Sequence, residues 1–383
     1  MASSDSTTLF AGNRSTDSDS GIDTWGLTEA PPGGHEADAR MDVIYHANFY
    51  CIGALVVVGV VCNVLSMGVF ASSRSLRRTT TGHYLIALSA ADLLFLLGES
   101  LKWLNSRDTR VQIVNFAFVN TNDVLCKMVH CTRYSAKFLS SWITVAITVE
   151  RFLTVAFPLR VSRLSTPHLA RVCIAVIAVS SLALNAFPIW TVGIQAFPEF
   201  GTSYCVITRK DQYERWSMVV LRCGQLVVPS CLILVFTVII VYFVTMAARR
   251  RQTQLQGQNC NQTSPQRSVE TQLTAMLIAV AVSTLVLRLP YATAFYLKTY
   301  REEIWPTPID AWQEYRLMAA YRITEIFAVL NYVLNFFLYC LCGSTFRNHL
   351  RRFIHCATKA RLTGCPAGTS TGVSYLSHTT TKV

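Results

Sequence analysis

The chain has 383 residues, 51% hydrophobic and only 15% charged, with a mean hydropathy of +0.34. So much apolar surface does not fit inside one soluble core, and the bilayer is its natural solvent. The formal net charge of +12 would suit a nucleic-acid binder if Lys and Arg clustered on soluble elements. They sit mostly between long apolar runs, which speaks against nucleic acid and for membrane topology.

Residues 1–47 are polar, acidic and rich in Ser and Thr, and read as a disordered segment. No short apolar stretch with a small-residue cleavage site lies there, so the first apolar run is expected to act as its own insertion signal. A bilayer core of about 30 Å needs about 20 apolar helical residues. Runs that meet this are Asn48–Phe70, His83–Trp103, Cys126–Phe157, Ala170–Ile194, Trp216–Met246, Gln272–Leu297 and Leu317–Cys342. The expected fold is an all-α membrane protein: a bundle of seven transmembrane helices over 48–342, a short amphipathic eighth helix over 343–356, and a disordered tail over 357–383.

An odd number of crossings puts the termini on opposite sides. Arg74, Arg77 and Arg78 follow the first run, Arg160, Arg163 and Arg171 separate the third and fourth, Arg249, Arg250 and Arg251 follow the fifth, and Arg347, Arg351 and Arg352 follow the last. The opposite loops mix bases with Glu199, Glu214, Glu302, Glu303 and Asp310. The positive-inside rule then places the amino terminus outside and the tail in the cytoplasm, in the plasma membrane. Asn13-Arg14-Ser15 becomes a usable glycosylation sequon, while Asn261-Gln262-Thr263 lies on the wrong face. The 13 Cys are irregularly spaced, giving neither a disulfide scaffold nor a zinc pattern, and read mostly as small buried hydrophobes.

Inside the runs, His130, Arg133, Lys137 and Ser140 recur at intervals of three and four and share one helix face, which must point inward to avoid lipid. After the last run, Phe346, Leu350 and Phe353 oppose Arg347, Arg351 and Arg352, the pattern of a helix lying on the inner membrane surface. Cys356 follows and reads either as a palmitoylation site or as an unmodified thiol. The Gly-, Ser- and Thr-rich tail offers phosphorylation sites, and Thr381-Lys382-Val383 fits a PDZ ligand whose terminal Val383 fills a pocket.

From Asn48 to Phe353 the runs carry an ordered set of motifs. Asn63 stands in the first, Leu88-Ser89-Ala90-Ala91-Asp92 in the second, and Glu150-Arg151-Phe152 closes the third. Pro229 and Pro290 stand in the fifth and sixth, and Asn335 with Tyr339 ends the seventh. In this order they resemble the rhodopsin-like family of G-protein-coupled receptors. The resemblance implies signalling by outward movement of the sixth helix, which opens a cytoplasmic cleft for a heterotrimeric G protein. It implies a Cys126–Cys205 disulfide on the oxidising side, and Pro158-Leu159 as a G-protein contact. Arg151 would pair with Glu150 and, across the bundle, with Glu270, or would simply be solvated at the interface. Asp92, Ser140, Asn331 and Asn335 match the family's sodium cluster, the only cofactor implied; the same residues could instead form a water-filled polar network.

The ligand positions implied by the family are Glu99, Lys102, Trp103, His130, Arg133, Tyr134, Lys137, Arg222, Gln225, Arg288, Tyr291, Phe295, Tyr321 and Glu325. Arg133 stands where amine receptors carry an acid, and Val329 where opsins carry the retinal lysine, so neither ligand class fits. The charges read as ligand contacts, as internal pairs such as Arg133 or Arg288 with Glu325, or as pairs that a ligand breaks. A pocket with both signs and several aromatics suits a short neuropeptide, and the surplus of bases leaves an anionic small molecule as the alternative.

The chain departs from the family at Arg288, where a Trp is usual, at Phe336, where a Pro is usual, at Thr237 in place of a Tyr, and in the fourth run, which lacks its usual Trp. Asn335-Phe336-Phe337-Leu338-Tyr339-Cys340 resembles the peptide-receptor branch that includes invertebrate FMRFamide-type receptors and their orphan relatives. A multi-span transporter would call for inverted repeats and interrupted helices, which the sequence does not offer. An enzyme would call for a metal set or a nucleophile with a base at helical spacing, and neither is seen.

Overall fold

The computed structural model describes residues 35–105, 118–160, 165–197, 202–255, 265–299 and 311–363. Seven helices among them are long and apolar enough to cross a membrane. They are α1 (His35–Ser72), α2 (Thr80–Asn105), α3 (Asp123–Ala156), α4 (Pro167–Leu184), α5, α6 (Pro265–Thr299) and α7 (Ala311–Cys342), followed by α8 (Ser344–Thr363). The fifth is composite: an α-helical lead Lys210–Ser217, π-helical turns Met218–Val227, and an α-helical body Val228–Leu255. Asn13, Thr381 and Val383 lie outside the described residues, as do the side chains of Glu270 and Cys356.

Local chemistry sets several helix ends. The Asn122 side chain accepts from Leu125 N at 3.1 Å and starts α3, and Thr166 accepts from Leu169 N at 3.2 Å with Pro167 just inside α4; both caps satisfy N–H groups that the first turn leaves open. Several boundaries differ from the sequence reading: α5 runs from Lys210 to Leu255, α6 starts at Pro265 instead of Gln272 and α7 at Ala311 instead of Leu317. Helix α1 begins at His35, well before Asn48, and α8 runs past residue 356 to Thr363. Helix α4 stops at Leu184 instead of reaching Ile194. There the Asn185 side chain donates to Ser181 O at 2.8 Å, and Pro188 has no N–H with which to continue the ladder.

Beyond that stop come one helical turn, Pro188–Thr191, and then a hairpin, which corrects the all-α expectation locally. Strands β1 (Val192–Phe197) and β2 (Thr202–Ile207) pair antiparallel, with Ile194 opposite Cys205. The Cys126–Cys205 disulfide ties this hairpin to the start of α3. Asn120 Oδ1 accepts from Cys205 N at 3.1 Å and Asp123 Oδ1 from Ile194 N at 3.3 Å.

Large apolar side chains face outward in rows: Val57, Val61 and Val64 on α1, Val172, Val176 and Val179 on α4, and Leu234, Val238 and Val241 on α5. Apolar rows of that extent need lipid as their solvent. Inside, the two largest apolar cores are stacked. One, near Arg151, includes Phe70, Leu88, Ile147, Leu277, Tyr339 and Phe346; the other, toward the disulfide, includes Ile52, Phe95, Leu96, Val329 and Tyr332. Buried Asp92, Ser140 and Asn335 meet between them.

Helix α1 is held to α7 by Asn63, whose Nδ2 donates to Gly59 O and Tyr332 O, each at 2.9 Å. Gly59 permits that approach, because a Cβ there would stand 2.7 Å from Leu96 Cδ1 and 2.8 Å from Val333 Cγ2, both on buried residues. Gly59→Val is expected to destabilise the purified protein by about 1–3 kcal/mol. A lower thermal midpoint checks this, and an unchanged one would argue against the close α1–α2–α7 packing.

Candidate functional site

The disulfide end of the bundle encloses an ion network on α2, α3 and α7. Glu99, 3% exposed, accepts through one carboxylate oxygen from Arg133 NH2 at 2.6 Å and Nε at 3.0 Å. Its other oxygen lies 3.4 Å from Lys102 Nζ, which stands 3.1 Å from Glu325 on α7. Arg322, one helical turn before Glu325, completes the chain at 3.4 Å and lies over the Tyr45 ring of α1 at 4.7 Å. Charges drawn out of bulk water cost least when paired, so the network is structural before it is anything else. Gly98 makes room for it, since a Cβ there would lie 2.5 Å from Arg133 Cγ.

One turn deeper on α3, the Lys137 ammonium lies 5.1 Å from the Phe95 ring centroid and 6.0 Å from that of Tyr291. Tyr291, Phe295 and Tyr321 form a cluster with centroids 5.8–6.2 Å apart, joining α6 to α7. Arg222 of α5 lies 5.7 Å over Phe295, and Lys298 lies 4.5 Å over Tyr321.

Below these, Arg288 joins three helices: NH1 donates to Ser141 Oγ of α3 at 2.6 Å, and NH2 to Gln225 O of α5 at 3.3 Å. That carbonyl is available because Pro229, four residues on, has no N–H to donate to it. The neighbouring Gly224 carbonyl is released by the π turns, in which Val228 N donates to Cys223 O. Trp142 Nε1 of α3 takes it at 2.9 Å. Deeper again, Asp92 accepts from Ser140 Oγ at 2.6 Å and Asn335 Nδ2 at 2.8 Å. Asn331 is 5% exposed and its Oδ1 has no hydrogen-bond partner.

At the far end, Arg151 Nε donates to Glu150 at 2.9 Å and NH2 to Thr81. Glu150 also accepts from Ser165 at 3.1 Å. Phe152 packs 5.3 Å from Phe236 of α5. Leu159 is 96% exposed in the following turn.

This arrangement of spans, disulfide, buried Asp92 and Arg151 pair agrees with a family model described as "7 transmembrane receptor (rhodopsin family)", which matches residues 62–339. The chain belongs to that family. It is a G-protein-coupled receptor and a multi-pass membrane protein of the plasma membrane. It is similar to probable G-protein coupled receptor 142 of Mus musculus, 27% identical over 79% of this chain and 74% of that protein. The B1 bradykinin receptor of Sus scrofa is 25% identical over 82% of this chain and 84% of its own. For C-C chemokine receptor type 8 of Mus musculus the figures are 25%, 81% and 79%.

Within the receptor, the residues named from sequence separate into those that border the interior and those used for packing. Glu99, Lys102, Arg133, Lys137, Arg222, Arg288, Tyr291, Phe295, Tyr321 and Glu325 come together as described. Trp103 instead turns to α1, donating to Phe49 O at 3.0 Å and stacking on Phe49. Gln225 donates to Tyr134 O and Asn185 Oδ1, each at 2.8 Å, knitting α3, α4 and α5. Tyr134 stacks on Phe187 and lies 2.7 Å from the Tyr213 hydroxyl, with His130 beside it, so this pair packs toward the end of α4 and the start of α5. Tyr339, read as part of the coupling machinery, is wholly buried against Phe70 and Phe346, and its hydroxyl has no partner.

The expected pairing of Arg133 or Arg288 with Glu325 is corrected: Arg133 takes Glu99, and Glu325 takes Lys102 and Arg322. Arg322 was missed, although its spacing three residues before Glu325 is a helical-neighbour signal. Ser141, Trp142 and Asn185 were also missed; they work through hydrogen bonds that no periodicity announces. Glu99→Gln removes the carboxylate charge that Arg133 meets at 2.6 Å and is expected to destabilise the receptor by about 3–5 kcal/mol. Surface expression and thermal midpoint read this out, with partial recovery in the charge-exchanged pair Glu99→Arg with Arg133→Glu. Failure of the exchange to recover anything would mean that geometry outweighs charge.

Proposed function

We propose that the receptor is activated by a short extracellular peptide that enters at the Cys126–Cys205 end, and that it passes the signal to a heterotrimeric G protein at the Arg151 end. The observation that carries this is the mixed-sign ring of Glu99, Lys102, Arg133, Arg322 and Glu325 beside the Tyr291, Phe295 and Tyr321 cluster. A peptide supplies both charges and apolar side chains, and can exchange partners with the ring instead of stranding it. Relatives named as receptors for bradykinin and for C-C chemokines support the reading. An anionic small molecule is the second reading, favoured by the excess of bases. Positive-inside charge supports an extracellular amino terminus and cytoplasmic tail, and Leu159, exposed at 96%, is an apolar side chain placed for a G-protein pocket. Arrestin-like proteins and a PDZ protein are the proposed partners of the tail.

The cluster around Asp92 fits a small cation. Asp92, Ser140 and Asn335 supply oxygens, and the buried, unpartnered Asn331 Oδ1 is a hard donor without another use. A sodium ion held there would offset the Asp92 charge. Replacing potassium by sodium chloride is expected to raise the thermal midpoint of the wild-type receptor and not that of Asp92→Asn; equal responses would leave the cluster as a polar network only.

Guanine-nucleotide exchange in membranes, driven by a panel of short peptides, tests the main reading. With an active peptide, Glu325→Lys is expected to lower potency by about 30-fold or more. Unchanged potency would remove this ring from the binding site.

A further inference from the structure

The charges inside the bundle do not balance. Apart from the Glu150–Arg151 pair, five cations, Lys102, Arg133, Lys137, Arg288 and Arg322, face three carboxylates, Asp92, Glu99 and Glu325, among the described residues of α2, α3, α6 and α7. The pairing identifies the surplus. Arg133, Lys102 and Arg322 share Glu99 and Glu325, and Asp92 is engaged by Ser140 and Asn335. Among the described residues, Lys137 and Arg288 have no carboxylate within ion-pair distance. Lys137 is placed only over the faces of Phe95 and Tyr291, and Arg288 only against a hydroxyl and a carbonyl.

These two belong to one locus. The Ser141 hydroxyl that accepts from Arg288 itself donates to the Lys137 carbonyl at 2.8 Å, so the residues adjoin across the α3–α6 seam. Tyr291, over which the Lys137 ammonium lies, is three residues beyond Arg288 on α6. Both side chains remain partly exposed although their contacts reach α2, α3, α5 and α6, which leaves open space beside them inside the bundle. Two cations in such a place, with no carboxylate at ion-pair distance among the described residues, offer paired charged donors to an anion from outside the chain.

We propose that Lys137 and Arg288 form a carboxylate-binding subsite at the floor of the ligand pocket, so that the activating ligand carries a free carboxyl group. That group is either the unamidated C-terminus of a peptide or the acid of a small aromatic carboxylic acid, whose ring would meet Tyr291, Phe295 and Tyr321. Arg288 presents a planar fork matched to a carboxylate and Lys137 a point charge beside it. The inference rests on the pocket proposed above and narrows its ligand.

The test uses the full-length receptor purified in detergent and matched probes that differ only in the charged group. One pair is 3-phenylpropionate and 3-phenylpropionamide; the other is a tripeptide ending in phenylalanine, as free acid and as amide. At about 100 times its Kd, an acid is expected to raise the thermal midpoint by roughly 5 °C, and its amide not to do so. The rise is lost in K137Q and R288Q and kept, wholly or in part, in K137R and R288K, which separates lost charge from a misfolded variant. A response to the small acid alone assigns the carboxylate to a small molecule, and one to the tripeptide acid alone assigns it to a peptide terminus. Equal shifts from acid and amide, no shift from either acid, or a shift that survives in K137Q with R288Q overturns the proposal. Nucleotide exchange driven by amidated peptides would still stand under any of those results, so failure of the subsite and failure of the peptide-receptor reading are distinguishable.

Discussion

A charge inside a bilayer has no water to return to, and the disulfide half of this receptor is organised by that constraint. Glu99 is the centre of it. Its two oxygens hold Arg133 of α3 and Lys102 of its own helix, and Lys102 passes the contact to Glu325 and so to Arg322 on α7. Three helices are thereby tied without an apolar contact being needed at that level. The arrangement depends on backbone as well as charge, because Gly98 leaves room for the Arg133 stem. A side chain larger than hydrogen there would push the guanidinium from its carboxylate.

The same accounting explains why the departures from the family hang together. A Pro at 229 and π turns before it set loose two carbonyls on the face of α5 that meets the bundle, and buried carbonyls need donors. Trp142 supplies one and Arg288 the other. An arginine at this point of α6 would be costly in a helix bundle with regular α geometry opposite it. Here it finds a backbone acceptor on α5 and a hydroxyl on α3, and the sixth helix is joined to both neighbours by polar bonds instead of by an aromatic wedge.

The crossings were legible because length and hydropathy are dictated by the bilayer, and the positions of Asp92, Arg151, Cys126 and Cys205 because each motif sits at a fixed depth. Helix phase also placed Arg133 and Lys137 on the inward face. What could not be read was rotation and partner choice. Glu325 is reached by whichever cation lies at its height, and Lys102, at the end of α2, lies nearer that height than Arg288. Trp103 and Gln225 occupy pocket depth yet point to α1 and α4, a difference of side-chain direction that spacing does not encode. The end of α4 and the hairpin after it were hidden for another reason. Ile194 continues an apolar run, and only Asn185 and Pro188 together interrupt the ladder, while the strand pairing depends on a partner beyond the next turn.

The bonds of Arg288 bear on how ligand and signal are linked. Its two acceptors are neutral, a serine hydroxyl and a peptide carbonyl. A carboxylate offers two charged acceptors to the same fork, and in a low dielectric that difference favours the carboxylate. An acid that reached the floor of the pocket would therefore compete for the donors that now join α6 to α3 and α5. Ser141 and the Gln225 carbonyl would lose their partner, and the seam between the three helices would loosen at the level of Pro290, where α6 already lacks one ladder bond. Binding and loosening would then be two sides of one exchange of hydrogen bonds. A ligand without an anion would have no differential hold on Arg288 and so no means of shifting the helix by this route.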